Sequence, residues 1–228
     1  FQPTHPGEII DILDNFEEKN STDINGFSTA FLKKIAWNIA SPLSIIANKS
    51  YEQGIFPDLM KISKTVPILK KDGIAHEMSS SRPISIVNAF STVLEKLAEK
   101  RLMSFLLNTD FFFNAQFGFL KGRSTSHAIL DLIDFVSKAL NNNEYCLGIF
   151  LEVKKAYDSV SHEILLAKLE NAGVRGIPLL WIKSFISNRR FKVFIDGYWS
   201  ECSNPLDISV LQGSILGAIL FLVYMNDF

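Results

Sequence analysis

Cysteine is scarce in this sequence. Its two cysteines in 228 residues, Cys146 and Cys202, lie far apart, with no CxxC or mixed His/Cys spacing around either. That argues against a disulfide framework and a zinc-ligand set, and it fits a reducing intracellular setting. Net charge is nearly absent as well: 23 Lys and Arg stand against 24 Asp and Glu, for a formal charge of -1 and a pI near 6.5. There is no global basic footprint, so a nucleic-acid partner would have to be held by local clusters. The opening residues, FQPTHPGEII, lack both an initiator methionine and a basic stretch followed by an apolar core. No signal peptide is read, and the chain is expected to be a piece of a longer protein. Long hydrophobic runs are missing too. The stretch from Ile208 to Met225 carries no charge, but Ser209, Gln212, Gly213 and Ser214 interrupt it. Its unbroken part is shorter than the roughly 20 residues that span a bilayer, so a buried helix is expected and no membrane contact. No internal repeat, low-complexity tract or long linker is visible.

What is present is the composition of a globular protein, 47% hydrophobic and 21% charged. Ile9, Ile12, Leu13 and Phe16 follow helical spacing, as do Leu32, Ile35, Ala36 and Ile39. Ser41 as N-cap, Pro42 at the first helical position and Gly54 as a stop bound a third helix. KTVPILKKDG reads as a hairpin arm turning at Asp72-Gly73, with Lys61, Lys64, Lys70, Lys71 and then Arg82 as a local basic cluster. Helices are predicted over about 88–107 and about 125–140, the second with a core stripe of Ile129, Leu132, Ile133, Val136 and Leu140. A strand around Cys146–Val153 precedes helices over HEILLAKLENAG and PLLWIKSFISN, then a hairpin turning at Asp196-Gly197 and a last apolar helix. This order suggests an α+β architecture.

Glu152 stands out because alternation puts it on one strand face with Phe150 and Lys154. An isolated buried carboxylate is costly, so the residue either meets solvent at a fraying strand end or serves as a ligand for a hard cation. The loop QFGFLKGRST misses the P-loop spacing by one residue and has Arg123 where lysine belongs, so a phosphate-loop nucleotide hydrolase is a remote alternative. His5, His76, His127 and His162 read as surface or capping residues. Arg189, Arg190 and Lys192 beside Phe191 and Phe194 suit either nucleic-acid backbone contacts or a charged hairpin edge.

In order and spacing, KTVPILKKDG, SRPISIVNAFSTVLEKLAEKRL, QFGFLKGRSTSHAILDLIDFVSKAL, GIFLEVKKAYDSVSHEILLAKLENAGVRG, SNRRFKVFIDG and VLQGSILGAILFLVYMNDF resemble the reverse transcriptase domain of non-long-terminal-repeat, LINE-like and jockey-like retrotransposons. The resemblance covers essentially the whole chain. It implies a right-hand polymerase, helix-rich with a small antiparallel sheet, with fingers over 1–144 and a partial palm over 145–228. The family's metal-binding aspartate falls at Glu152, with the Val153 carbonyl beside it, and the implied cofactor is Mg2+. Lys70 and Arg82 match positions that contact the incoming triphosphate. Tyr157 matches the steric gate against a ribose 2'-hydroxyl, and Gln212 and Gly213 match the nucleotide-side loop. Lys121, Arg123, Arg189 and Arg190 are the implied nucleic-acid contacts. RNA template, DNA primer and deoxynucleoside triphosphates are the implied partners. The chain departs from the family pattern at Glu152, Leu120, Ser81, Leu211 and Ala218, and the family's YxDD strand is expected after YMNDF. RNA-directed DNA synthesis by two-metal phosphoryl transfer is therefore the implied activity of the family, with this chain expected to be inactive alone. The alternative is a non-catalytic, polymerase-derived nucleic-acid-binding module.

Overall fold

The first helical spacing folds as its residues dictate. In the computed structural model, which describes residues 1–70 and 80–227, helix α1 (Pro6–Asp14) begins on a proline whose missing N–H costs nothing there. His5 Nδ1 accepts the Glu8 amide at 3.3 Å and caps it. Helix α2 (Thr29–Lys34) is capped by Ser28, and α3 (Ala36–Gln53) follows after a break at Ile35. Gly54 ends α3 in the left-handed region at φ 66°. The expected cap at Ser41 is wrong, because α3 starts at Ala36 and Pro42 lies inside it. Ser41 and Pro42 are exposed, as is Asn38, so the carbonyl that the proline leaves unpaired can meet water. The buried face of Ala36, Ala40, Leu43, Ala47 and Tyr51 carries the helix through the proline.

Helix α4 (Ala89–Asn108), capped by Asn88, is fastened to α1 through Glu8. Its carboxylate lies 2.9 Å from Arg101 Nη2, 3.2 Å from Lys100 Nζ and 2.8 Å from the Thr4 hydroxyl. Burial works to raise this carboxyl, but hydrogen bonds from Arg101, Thr4 and Lys100, with the charge of Arg101, outweigh it and hold it at about 2. The folded value lies below the ordinary 4.5, so the stabilisation is complete above the ordinary value and drains away as pH falls toward the folded one. The Tm gap between the parent and Glu8→Gln should therefore be full near pH 6 and close on acidification. A gap independent of pH between 6 and 2 would contradict the pairing.

Strands β1 (Ile62–Leu69) and β2 (Ser81–Ile86) pair antiparallel as the expected hairpin arm, while Lys71, the Asp72-Gly73 turn and His76 lie outside the described residues. Strands β3 (Arg190–Ile195) and β4 (Tyr198–Trp199) turn at Asp196-Gly197, both at positive φ, as that dipeptide requires. The sheet order is β2-β1-β3-β4, and β1 runs parallel to β3. The small sheet is therefore mixed, which corrects the antiparallel expectation. The cause lies at the strand starts. Helices α6 (His162–Asn171) and α7 (Ile177–Ile186) bring Ser184 to the Phe56 amide at 3.0 Å, and Phe56 packs on Trp181 and Phe185. Both strands leave the core from that same end, so they run the same way.

Helix α8 (Ile215–Met225) is mostly buried and packs on α4 and α6. No helix among the described residues is long and apolar enough to cross a membrane. Two further expectations fail together. Helix α5 (Thr125–Asn141) forms and is capped by Ser124, but its stripe is not core: Ile133 is 55% exposed, and Ala139 is the one buried residue. The expected strand over 146–153 has no regular secondary structure and lies outside the described sheet, with Phe150 86% exposed. Alternating apolar residues become a strand only beside a partner that takes their backbone hydrogen bonds, and no described strand occupies that place.

Candidate active site

Five of the residues named from motif order, Lys70, Arg82, Tyr157, Gln212 and Gly213, come together where the run from Ile208 to Ser214 meets the edge of the sheet. Ser209 and Val210 donate their amides to the carbonyls of Val160 and Tyr157 at 2.9 and 3.0 Å, and His162 Nε2 lies 2.8 Å from the Ser209 carbonyl. Segment 157–161 and segment 208–210 thus form a short backbone pair that carries Tyr157 toward the turn beyond. The Tyr157 ring is half-buried and stacked on Phe221 of α8, with centroids 4.7 Å apart, and burial raises its hydroxyl pKa.

Gln212 and Gly213 form that turn and dock on the outer edge of β2. The Ser85 amide donates to the Gln212 carbonyl at 3.2 Å. Gly213 sits at φ +111°, and a Cβ built there would meet the Ser85 carbonyl oxygen at 2.7 Å. Glycine is required on both counts. Arg82, exposed on the same strand, pairs across with Ile68, and Lys70 closes β1 with its amide 2.9 Å from the Ser80 carbonyl. Lys70, Arg82, Gln212, Gly213 and, through Val210, Tyr157 therefore belong to one connected unit.

Paired residues of neighbouring strands point to one side of a sheet, so the register also defines a face. Arg82, Lys64, Arg190, Lys192, Phe194 and Trp199 share it. Lys64 Nζ lies 4.2 Å from the Phe194 ring centroid and 5.4 Å from that of Trp199. Sequence reading had separated these residues into a basic cluster and a hairpin, because β1–β3 pairing is a long-range fact. Arg189 corrects the expectation: it is 3% exposed and turned inward, donating to the Phe185 carbonyl at 2.8 Å with its guanidinium over the Phe185 ring. Burial lowers its pKa to about 10, against the favourable charge of Glu95. Such a buried side chain serves the fold, leaving Arg190 as the exposed member of the pair. Lys61 is likewise buried, 2.8 Å from Asp58.

Arg123 braces its own loop, with Nη1 donating to the carbonyls of Asn114 and Gln116, and the loop presents an exposed Lys121. Glu152 and Val153 lie on the exposed segment before Tyr157, outside the unit around the turn. Among the described residues no group of three or more His, Cys, Asp or Glu side chains is placed to hold a metal ion. One carboxylate and a carbonyl do not by themselves complete a two-magnesium centre, whose ions sit about 3.5–4 Å apart between shared ligands. Sequence reading missed Glu95, although Ser91, Glu95, Ala98 and Leu102 share one helical stripe and an acid on it was a signal.

Three relatives are similar to this chain in sequence. The chain is 32% identical over 185 residues, 81% of its own length and 20% of the relative's, to the RNA-directed DNA polymerase from mobile element jockey of Drosophila melanogaster. It is 28% identical over 229 residues to the probable RNA-directed DNA polymerase from transposon BS, and 26% identical over 228 to that from transposon X-element, both of the same fly. Each of these two matches covers 99% of the chain and 25% of the relative. The chain thus spans a fifth to a quarter of the relatives it matches. Residues 68–228, which hold Lys70, Arg82, Tyr157, Gln212 and Gly213 but not Lys64, match the model of the family described as reverse transcriptase (RNA-dependent DNA polymerase), and the chain belongs to that family.

Proposed function

We propose that this chain forms the fingers, residues 1–144, and part of the palm, residues 145–228, of an RNA-directed DNA polymerase from a mobile element. The observation that carries the reading is the docking of the Gln212-Gly213 turn on the β2 edge beside Arg82, which joins the family's nucleotide-side loop to its triphosphate-side strand. In this reading Lys70 and Arg82 hold the triphosphate, with Arg82 supplying a fork suited to phosphate oxygens. Gln212 and Gly213 set the base and sugar of the incoming nucleotide. The Tyr157 ring, fixed on Phe221, walls off the 2' position. A primer 3'-hydroxyl then attacks the α-phosphorus in line and pyrophosphate leaves. The family is generally metal-dependent. Glu152 and the Val153 carbonyl are this chain's proposed contribution to a magnesium centre that the described residues do not complete.

The sheet face of Arg190, Lys192, Lys64, Phe194 and Trp199 is the proposed path of the RNA template, since basic side chains beside stacking rings suit single strands. Lys121, exposed on its own loop, is a further proposed nucleic-acid contact. The test is equilibrium binding of an RNA/DNA primer-template across a salt series. Arg190→Ala and Lys192→Ala should each weaken binding and lower the log–log salt slope by about one. Arg189→Ala should instead lower the melting temperature, because it leaves Glu95 buried without its nearby positive charge. Unchanged hybrid affinity in a folded Arg190→Ala, Lys192→Ala double variant would sink the template path. Hybrid binding that no nucleotide strengthens would instead fit the non-catalytic nucleic-acid-binding module.

A further inference from the structure

Glu95 is fully buried on α4, where α8 begins. Its Oε2 accepts the amides of Ile215 and Leu216 at 3.0 and 3.4 Å, and its Oε1 accepts the Ser91 hydroxyl at 3.1 Å. A buried carboxylate is costly without such partners. Burial raises its pKa, and the charge of Arg189, the two amides and the hydroxyl work against that rise. The first amides of a helix have no intrahelical acceptor and carry partial positive charge, so an acid is well matched to them. Ser214 takes the next amide, that of Gly217, at 2.9 Å. The Gln212-Gly213 turn leads directly into this helix start. One side of the turn rests on Ser85, and the other is fixed through α8 by a side chain from α4.

We propose that Glu95 is a positioning residue for the nucleotide turn: by holding the Ile215 and Leu216 amides it sets where Gln212 and Gly213 stand without touching the nucleotide. The proposal rests on reading that turn as the nucleotide side of the site. It also separates two roles for one carboxylate. As an anchor, Glu95 acts through the reach of its oxygen to α8. As a counter-charge, it acts only by neutralising Arg189.

Two conservative variants divide these roles. Glu95→Asp keeps the charge near Arg189 but withdraws the carboxylate by one methylene, whereas Glu95→Gln keeps the reach of an acceptor oxygen and loses the charge. Two readouts are taken on the full chain: amide hydrogen exchange by NMR, and the affinity of the complementary dNTP for the chain bound to an RNA/DNA hybrid with a dideoxy-terminated primer. Glu95→Asp should speed exchange at Ile215, Leu216 and Ser85 about tenfold and weaken dNTP binding about as much, with hybrid affinity unchanged. Glu95→Gln should stay within about threefold of the parent in both. The reverse order, or faster exchange spread equally over α1 and α3, would overturn the positioning role and leave a counter-charge or a general core residue. If the parent complex binds no complementary dNTP, the nucleotide reading of the turn falls. The exchange data still judge the anchor on their own.

Discussion

Trp181→Ala should destabilise the chain by about 3–5 kcal/mol in a urea melt, the range for emptying a fully buried aromatic site. Trp181 joins several elements. Trp181 has no exposed surface, and its ring meets Tyr51 of α3 at 5.2 Å, Phe56 ahead of β1 at 5.4 Å and Phe185 of α7 at 5.8 Å. Its indole N–H donates to the Ser50 hydroxyl at 2.8 Å, which in turn donates to the Ile55 carbonyl. Truncation leaves a cavity and also removes the indole N–H bond to the Ser50 hydroxyl, and both raise the cost. The damage should reach the site, because the Phe56–Trp181–Phe185 cluster fixes the common starting end of β1 and β3. Trp199, at the exposed sheet face, supplies the control, and Trp199→Ala should cost under about 1 kcal/mol. Equal losses in the two variants would contradict this account of the core.

Gly213→Ala should remove most nucleotide affinity while leaving the fold in place. The alanine Cβ would lie 2.7 Å from the Ser85 carbonyl oxygen, a backbone atom of a paired strand that cannot swing aside. At φ +111° the backbone is strained for any L side chain, by about 1–3 kcal/mol. The turn must lift from β2, which breaks the bond from the Ser85 amide to the Gln212 carbonyl and separates the turn from Arg82. Complementary dNTP affinity should fall by about tenfold or more, as for loss of a hydrogen-bonded anchor. Gly122→Ala is the matched control, since Gly122 has φ +82° with nothing within 4 Å of the added atom. That variant should carry backbone strain alone and keep its nucleotide affinity. Equal affinity in Gly213→Ala and the parent would show that the turn does not serve the nucleotide.

What was legible in the sequence was local. The helix over about 125–140 forms as read, while the caps at Ser28, Ser124, Ser161 and Ser214 went unread and the one that was read, Ser41, is wrong. Gly54, Gly173 and Asp196-Gly197 stop or turn the chain at positive φ. Pro42 misled because an exposed proline can be carried inside a helix whose other face is well buried. The α5 stripe and the 146–153 alternation were read correctly as apolar patterns, but a pattern does not supply its own partner. Lys64 and Lys192 could not be joined from sequence, because their register depends on helices far along the chain.

In the site, Arg82, Gln212 and Gly213 were named from motif order, and the structure unites them at the β2 edge. Arg189 and Arg190 were indistinguishable as neighbours in a basic pair. Their difference is set by the strand start, which turns the first into the core beside Glu95 and the second to the surface. Glu152 keeps its place in the motif order, yet its segment stands apart from the unit around the turn.

The most direct test of the central claim is template-directed nucleotide recognition by the chain on an RNA template with a dideoxy-terminated DNA primer, measured as the dissociation rate of the hybrid with each of the four dNTPs. The account predicts that only the dNTP complementary to the next template base slows dissociation, by about tenfold, and that Gly213→Ala and Arg82→Ala abolish the difference. Equal dissociation rates with all four nucleotides, or a complementary effect that survives both substitutions, would contradict it.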